Sequence, residues 1–241
     1  MTALLDRLLP GHFDDFDFAP DDLLFDRWAS DDEVALGRLG LVGTLPHGGR
    51  IPWHEILPWA VFDPGWDRRG AAVMDPWAFM YHWTASKPSW ARPAPALKIV
   101  REGRPDVPGP LAHLHLSWRA QTTVIASGRA NHAGLGDPAV LEAIRLGHNP
   151  ATLAKVKKST ASSGGRFIGI EVEHSGDKNV PLTPAMVAEL ARIDNAIRTH
   201  YAWSMAATWR SIDHARWAPD RKVDVIPFRA TIPALRYLAA A

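Results

Sequence analysis

The 241-residue sequence predicts an α/β fold, and three features of the chain carry this prediction. Residues 78–83 form a short apolar run, which is typical of a buried β-strand. Residues 167–173 alternate between two faces, as expected of a second strand. Residues 184–201 follow a threonine and repeat large apolar side chains at helical spacing, so they predict a long amphipathic helix that packs on a sheet. The apolar stripe of this helix consists of Met186, Leu190, Ile193, Ile197 and Tyr201.

Two strands and a connection are expected between residue 83 and the middle of the chain. Residues 87–110 are rich in proline and predict an extended connection. Residues 112–118 alternate polar and apolar side chains, which predicts a strand, and residues 122–126 are expected to be its hairpin partner.

A short helix and a basic loop are expected next. Asp137-Pro138 is typical of an N-cap followed by a proline in the first turn, so a helix should run to about Leu146 and end at Gly147. Residues 151–166 contain three lysines and then a run of serine and glycine, which predicts a mobile basic loop.

The composition is that of a globular protein without cysteine. Hydrophobic residues make up 46% and charged residues 22% of the chain, and both values are ordinary. The lack of cysteine excludes a disulfide scaffold and a thiolate metal site. Asp6 and Arg7 interrupt the first apolar stretch, so we expect no secretory signal, and no stretch approaches the ~18 apolar residues of a membrane span.

Charge divides the chain into two unequal parts. Residues 1–50 hold four basic and ten acidic residues, a net charge of −6, whereas the remainder holds 23 basic and 16 acidic residues, a net charge of +7. We therefore expect an acidic N-terminal extension of unknown role over residues 1–51 and a main domain over residues 52–241. Within the extension, Ser30–Glu33 predicts a helix over 31–39. A linker is expected over residues 45–52. A basic main domain suits an anionic polymer, either nucleic acid or bacterial cell wall, although such a surplus can also serve only solubility.

The candidate metal-ligand set consists of two histidines and one aspartate: His82, His214 and Asp224. Two imidazoles and one carboxylate can hold a zinc ion and leave its fourth position to water. His82 ends the strand over 78–83, where a lone histidine is more often a packed or surface residue. The ten-residue gap from His214 to Asp224 can fold back, so that both side chains face one point.

Glu171 and Lys222 are the candidate catalytic residues. Glu171 lies two residues after the small Gly169, which would leave room for substrate, and it could act as the general base towards a zinc-activated water. Lys222 lies two residues before Asp224, so both side chains project to one side of an extended segment, where a lysine would stabilise an oxyanion. The ordinary alternatives are a strand glutamate in an ion pair and a solvated Arg221-Lys222 pair.

Other histidines compete for these roles. His113 and His115 share a strand face and could form a metal pair, and His132 lies in a turn. Spacing alone does not rank them against His82.

Four segments, in order along the chain, resemble zinc-dependent N-acetylmuramoyl-L-alanine amidases, a family that includes phage lysozyme-type amidases and peptidoglycan recognition proteins. Residues 80–86 look like the first metal-ligand motif, and residues 106–134 look like the central hairpin and the turn after it. Residues 168–173 are similar to the strand of the catalytic glutamate, and residues 214–224 are similar to the closing motif. The resemblance covers about residues 52–235 and is closest to endolysins of phages that infect actinobacteria.

The resemblance implies a fold and a set of site residues. The fold would be a central mixed β-sheet flanked by helices. The Zn²⁺ ligands would be His82, His214 and Asp224, with Glu171 as acid and base and Lys222 as the stabiliser of the transition state. Residues beside the metal set or on the substrate side would be His115, Asn131 and His132.

The sequence departs from the family pattern at several points near the site. Arg119–Thr122 stands in place of the usual Arg-Asp-Gly-Thr turn, Val225 replaces a proline, and Asp213 replaces a common glycine. Asp213 and Asp220 could compete as metal ligands. None of these departures removes a catalytic group.

The implied activity is that of a peptidoglycan hydrolase, an endolysin that cleaves the amide bond between N-acetylmuramic acid and L-alanine with a zinc-activated water. Its partner would be bacterial peptidoglycan, with no nucleic acid and no stable membrane association, and it would be a monomer. It would wait in the host cytoplasm and reach the wall through a membrane pore. The alternatives are a non-catalytic peptidoglycan-binding module of this fold, a cytosolic amidase acting on wall fragments, and a zinc hydrolase acting on another amide or on nucleic acid.

Overall fold

The computed structural model describes residues 49–239, with the exception of residues 72, 155–157 and 206. The helix predicted over 31–39 and nearly all of the acidic extension lie outside the described residues. Ile51, at the end of that extension, belongs to the main core: it is 2% exposed, and its N–H donates to the carbonyl oxygen of Ser127 at 2.8 Å.

The described residues form short strands and helices in alternation. The strands are β1 (Val61–Phe62), β2 (Ala78–Trp83), β3 (Leu114–Leu116), β4 (Thr122–Val124), β5 (Leu135–Gly136), β6 (Ala161–Ser162), β7 (Phe167–Val172) and β8 (Ser211–Asp213). The α-helices are α1 (Trp53–Ile56), α2 (Leu97–Glu102), α3 (Pro138–Arg145), α4 (Pro184–His200), α5 (His214–Trp217) and α6 (Arg236–Ala239). Single 3₁₀ turns cover Pro150–Thr152, Thr208–Arg210, Ile226–Phe228 and Pro233–Leu235.

Six strands form one central sheet in the order β1-β4-β3-β7-β2-β8. The β3–β4 hairpin is antiparallel, and the other neighbouring strands are parallel, so the sheet is mixed. β5 and β6 form a separate antiparallel pair. The predicted α/β class with a central mixed sheet and flanking helices is therefore confirmed.

The two faces of the sheet carry different side chains. Phe79 and Tyr81 of β2 belong to the same core as the stripe of α4, which is buried at Met186, Leu190, Ile193 and Ile197. Ala78 and Met80 alternate to the other face, where they pack in a second core with Trp217. Because side chains alternate along a strand, His82 lies on this second face, away from α4.

The predicted helices over 137–146 and 184–201 are confirmed with their caps. Asp137 accepts a hydrogen bond from the N–H of Ala139 at 2.8 Å, and Thr183 accepts one from the N–H of Met186 at 3.2 Å. Gly147 follows α3 with a φ of 74°, a left-handed conformation that favours glycine.

The structure corrects one sequence prediction about a loop and describes part of another. The segment 87–110 is not extended throughout, because α2 forms at Leu97–Glu102, and its prolines flank the helix. In the segment 151–166, residues 155–157 lie outside the described residues, so the mobile basic loop stays a prediction. After them, the backbone and hydroxyl of Ser159 donate to the carboxylate of Asp220, and β6 follows. Among the described residues, no helix is long and apolar enough to cross a bilayer.

Candidate metal centre

The structure brings His82, His214 and Asp224 together, as the sequence predicts. The Nδ1 atoms of His82 and His214 are 2.9 Å apart, and they lie 3.3 Å and 3.2 Å from Oδ2 of Asp224. All three side chains are buried. Among the described residues, no other group of three or more histidines and carboxylates meets the distance expected of a shared ion.

Backbone geometry explains why these residues converge. His82 lies near the end of β2, and β8 runs parallel beside β2, so the chain that leaves β8 passes the same sheet edge. His214 is the first residue of α5, directly after β8. The N–H of Ala215 donates to the carbonyl oxygen of Asp224 at 2.6 Å, which closes the loop between the second and third candidate ligands.

The hydrogen bonds of the two histidines leave both Nδ1 atoms without a proton. Nε2 of His214 lies 3.1 Å from a backbone carbonyl oxygen, which only accepts, so this nitrogen carries the proton. His132 donates from Nε2 to the carbonyl oxygen of Phe167, so its Nδ1 accepts, and Nε2 of His82 donates to it. A neutral imidazole carries one proton, so both Nδ1 lone pairs point at the Asp224 carboxylate. Three acceptors that meet without a donor favour a cation between them.

The dimensions of this group fit a tetrahedral metal ion. At bond lengths of about 2.0–2.2 Å, a tetrahedral ion separates its ligand atoms by roughly 3.3–3.6 Å. The three ligand atoms here are separated by 2.9–3.3 Å, so a small expansion would admit the ion. Two imidazoles and one carboxylate would leave one coordination position open.

Electrostatics favour the metal-binding form of two candidate ligands, His214 and Asp224. Burial lowers the pKa of His214 to about 3, although the Asp224 carboxylate acts in the opposite sense. Burial alone would raise the pKa of Asp224, but the positive charge and hydrogen bonds that His214 and His82 offer when protonated outweigh burial and lower that pKa. At neutral pH the site therefore holds a neutral imidazole at His214 and an ionised carboxylate.

Glu171 and Lys222 lie beside this group. Glu171 is paired in register with His82 on one side and with His115 on the other. Burial, and then the charge of Asp224, raises the pKa of Glu171 well above its usual value. Burial lowers the pKa of Lys222 to about 8, while Asp224 and Glu171 oppose this effect. The arrangement supplies a carboxyl group that can exchange a proton and an amine that is mostly charged at neutral pH.

The space beside Gly169 is filled by the protein, so the prediction that it would accommodate substrate is wrong. A Cβ atom on Gly169 would lie 2.5 Å from Nδ1 of His132. His132 is 6% exposed, and both of its ring nitrogens are bonded within the protein. Of the two positions expected for it, beside the metal set or on the substrate side, its contacts fit the first, and any role in substrate binding stays a prediction.

His115 is also enclosed, and its expected role, beside the metal set or on the substrate side, stays a prediction. Its side chain is fully buried, and Nε2 donates to Glu173 at 2.9 Å. The same carboxylate accepts from the N–H of Ala96 at 2.7 Å and from the hydroxyls of Thr84 and Ser86. Glu173 directly follows β7 and shares a face with Glu171, but no pattern in the sequence singled it out for this contact.

The remaining candidates take other positions. Asn131 is exposed and donates to the carbonyl oxygen of Pro108 at 2.8 Å, so its role in substrate binding stays a prediction. His113 does not pair with His115 around a metal, since its Nδ1 accepts from the N–H of Gly169 at 3.0 Å.

The two competing aspartates are not part of the metal group. Asp213 accepts from the N–H of Arg216 at 2.8 Å and forms an ion pair with Arg229. Asp220 accepts from Ser159. Both carboxylates are therefore used for structure.

No protein-family profile and no curated protein sequence matches the chain. Among solved structures, it is similar to a selenomethionine derivative of AmpD, with 19% identity over 74% of this chain and 97% of that chain, at a TM-score of 0.47. It is similar to the N-acetylmuramyl-L-alanine amidase AmiD from E. coli, solved with anhydro-N-acetylmuramic acid-L-Ala-D-gamma-Glu-L-Lys, with 18% identity over 72% of this chain and 60% of that chain, at a TM-score of 0.43. It is also similar to the endolysin amidase LysCS from Clostridium intestinale, with 15% identity over 62% of this chain and 72% of that chain, at a TM-score of 0.36. At this distance, function has to be inferred from the side chains of the site.

Proposed function

We propose that this protein is a zinc-dependent N-acetylmuramoyl-L-alanine amidase. The observation that carries the proposal is the convergence of His82, His214 and Asp224 as three acceptors around one point. Two imidazoles with a carboxylate and no thiolate are typical of catalytic rather than structural zinc sites. The four sequence segments that resemble the amidase family support the amide of peptidoglycan as the substrate.

The residues beside the metal group supply the remaining chemistry. When bound, Zn²⁺ acts as a Lewis acid that lowers the pKa of a water molecule. Glu171, whose pKa is raised, takes the proton of the attacking water and passes it to the departing amine of L-alanine. Lys222 stabilises the negative charge that develops on the carbonyl oxygen of the N-acetylmuramic acid lactyl group. Its pKa of about 8 leaves it mostly protonated at neutral pH.

The biological setting that we propose is that of an endolysin. The main domain over residues 52–241 would act as a monomer on the wall after release through a membrane pore. The acidic extension over residues 1–51 would be a separate unit. The non-catalytic alternative is less well supported, since both candidate catalytic residues lie beside a complete set of candidate ligands.

The test is chemical. Purified cell wall is digested with the full chain, and new alanine N-termini and new reducing sugar ends are measured. The proposal expects alanine N-termini alone, with activity lost on treatment with a chelator and restored by Zn²⁺. Reducing ends without alanine N-termini, or full activity in the chelator, would contradict it.

A further inference from the structure

The side chain of His132 links the candidate ligand His82 to strand β7. Its Nδ1 lies 3.0 Å from Nε2 of His82, and its Nε2 lies 3.0 Å from the carbonyl oxygen of Phe167. The rings of His82 and His132 are nearly perpendicular, with centroids 5.2 Å apart. One imidazole thus joins the sheet backbone to the metal group.

The direction of these bonds is fixed from the backbone outwards. The carbonyl oxygen of Phe167 has no proton to give, so Nε2 of His132 must carry one. A neutral His132 then offers only a lone pair at Nδ1, and this lone pair selects the tautomer of His82 that carries its proton on Nε2. The other tautomer of His82 would place a proton on Nδ1, where a metal ligand needs a lone pair.

The protein is built to hold His132 in this orientation. Gly169 is the residue against which the ring lies, and a Cβ at that position would come within 2.7 Å of three ring atoms. The ring of His113 contacts His132 edge to face, with centroids 5.3 Å apart.

We propose that His132 is a positioning residue, which orients His82 and fixes its proton on Nε2 so that Nδ1 faces the metal. This inference rests on the metal site of the proposed function and does not depend on the substrate. It assigns His132 neither to the ligand set nor to substrate contact.

The experiment measures the affinity of the full chain for Zn²⁺ alone, by competition with a chromophoric chelator at fixed pH. We expect His132→Ala to weaken Zn²⁺ binding about 10–100-fold, which is the usual cost of losing the hydrogen-bond partner of a ligand histidine. His132→Asn keeps an acceptor oxygen near the position of Nδ1, so it should recover much of the loss. Gly169→Ala tests the same hydrogen bond between His132 and His82, because the added Cβ would displace the ring of His132. It should therefore weaken Zn²⁺ binding although His132 is still present.

His174 provides a matched control, because it is a buried histidine that makes two backbone hydrogen bonds away from the site. Its Nε2 donates to the carbonyl oxygen of Val180 at 2.7 Å, and its Nδ1 accepts from the N–H of Gly176 at 2.9 Å. We expect His174→Ala to lower the melting temperature of the metal-free protein without changing its Zn²⁺ affinity. Co²⁺ absorption spectra add a readout of ligand geometry, which should change in His132→Ala and not in His174→Ala.

The outcomes separate this inference from the proposed function. Wild-type affinity in His132→Ala, or equal losses in His132→Ala and His132→Asn, would overturn the positioning role. A wild type that binds Zn²⁺ tightly but releases no alanine from cell wall would leave the role of His132 intact and remove the amidase proposal. A wild type that binds no Zn²⁺ would overturn both.

Discussion

Two carboxyl groups at the site have opposite electrostatic environments. Asp224 lies between imidazoles that lower its pKa, whereas burial and the charge of Asp224 raise the pKa of Glu171. Carboxyl groups whose pKa values are pushed apart in this way commonly take different roles in one reaction. At the residue scale, this difference supports the proposal that Asp224 binds the cation and that Glu171 transfers the proton.

Replacing Glu171 with glutamine is expected to remove turnover and to keep the metal. Glutamine has nearly the same shape but exchanges no proton, so we expect kcat to fall roughly 10²–10⁴-fold. Zn²⁺ affinity should stay unchanged, because Glu171 is not one of the three candidate ligands. Alanine release and chelator competition measure the two quantities. Glu142→Gln, at an exposed position of α3, is the control and should retain full activity.

Buried histidines are expected to make the metal-free protein sensitive to mild acid. Burial lowers the pKa of His113 and His214 to about 3, whereas a histidine of the unfolded chain titrates near ~6.5. The unfolded state therefore binds more protons between these pH values, so the stability present above pH ~6.5 is lost as the pH falls towards about 3. The loss is at most ~1.4 kcal/mol per pH unit for each histidine.

Urea unfolding of the chelator-treated protein at several pH values measures this dependence. His113→Gln should make it shallower, and His148→Ala, at an exposed position, should leave it unchanged. A free energy of unfolding that stays constant from neutral pH to about pH 5 would contradict the prediction.

At the scale of elements, the junction between β8 and α5 determines where His214 lies. Asp213 is fully buried, caps α5 and pairs with Arg229. Burial raises the pKa of Asp213, and the Arg229 guanidinium opposes that rise. The ion pair thus keeps a charged cap directly before a candidate metal ligand.

Arg229→Ala should therefore affect both stability and metal binding. Removing one partner of a buried ion pair leaves an uncompensated charge, and we expect a loss of about 3–5 kcal/mol in the free energy of unfolding. Zn²⁺ affinity should fall as well, because α5 begins at His214. Urea unfolding and chelator competition measure the two effects. Arg236→Ala, at an exposed position, is the control, and similar values for both variants would refute the role of the pair.

Helix α4 supports the opposite face of the sheet, so a change there should leave the metal group intact. Leu190 is fully buried, and Leu190→Ala is expected to cost about 2–5 kcal/mol of stability, since it opens a cavity. Zn²⁺ affinity of the folded variant should match the wild type. Asn195→Ala, on the exposed side of α4, should change stability by less than about 0.5 kcal/mol.

Elements with a strong local pattern could be predicted from the sequence. The apolar run over 78–83 is β2 with the same bounds, and the Thr183 cap and apolar stripe of α4 follow from periodicity. α2 was missed because prolines on both sides obscured a helix of six residues. Short helices of this kind depend on tertiary contacts more than on their own sequence.

The candidate ligands and some of their neighbours could be named from the sequence, but the contacts of those neighbours could not. The sequence names the three ligands because they lie in segments that resemble the amidase family in the same order along the chain. The positions of His115 and His132 depend on which strands become neighbours and on the space left by Gly169. Residue type and spacing carry no information about that space.

At the scale of the whole molecule, the site is held by segments far apart in the chain. His82 and His214 are separated by 132 positions in the chain. The main core lies on the opposite face of the central sheet from these two residues. A metal ion that binds only when these segments meet stabilises the folded state over the unfolded state.

Removal of the metal is therefore expected to lower the melting temperature. Free Zn²⁺ at about 100 times its Kd should add ~2.7 kcal/mol to the free energy of unfolding. Thermal scans with Zn²⁺ and with a chelator measure the difference. The double variant His82→Ala with His214→Ala should melt at one temperature in both conditions, whereas a Zn²⁺-dependent shift in that variant would place the ion elsewhere.

The bond between the N–H of Ala215 and the carbonyl oxygen of Asp224 has a consequence for how the ion is captured. This hydrogen bond closes the loop between His214 and Asp224. The two candidate ligands at its ends are therefore neighbours before any ion binds. An incoming ion would find His214 and Asp224 already adjacent and would need one further protein ligand, His82, from the sheet. Binding of an ion would accordingly require little rearrangement of this part of the chain.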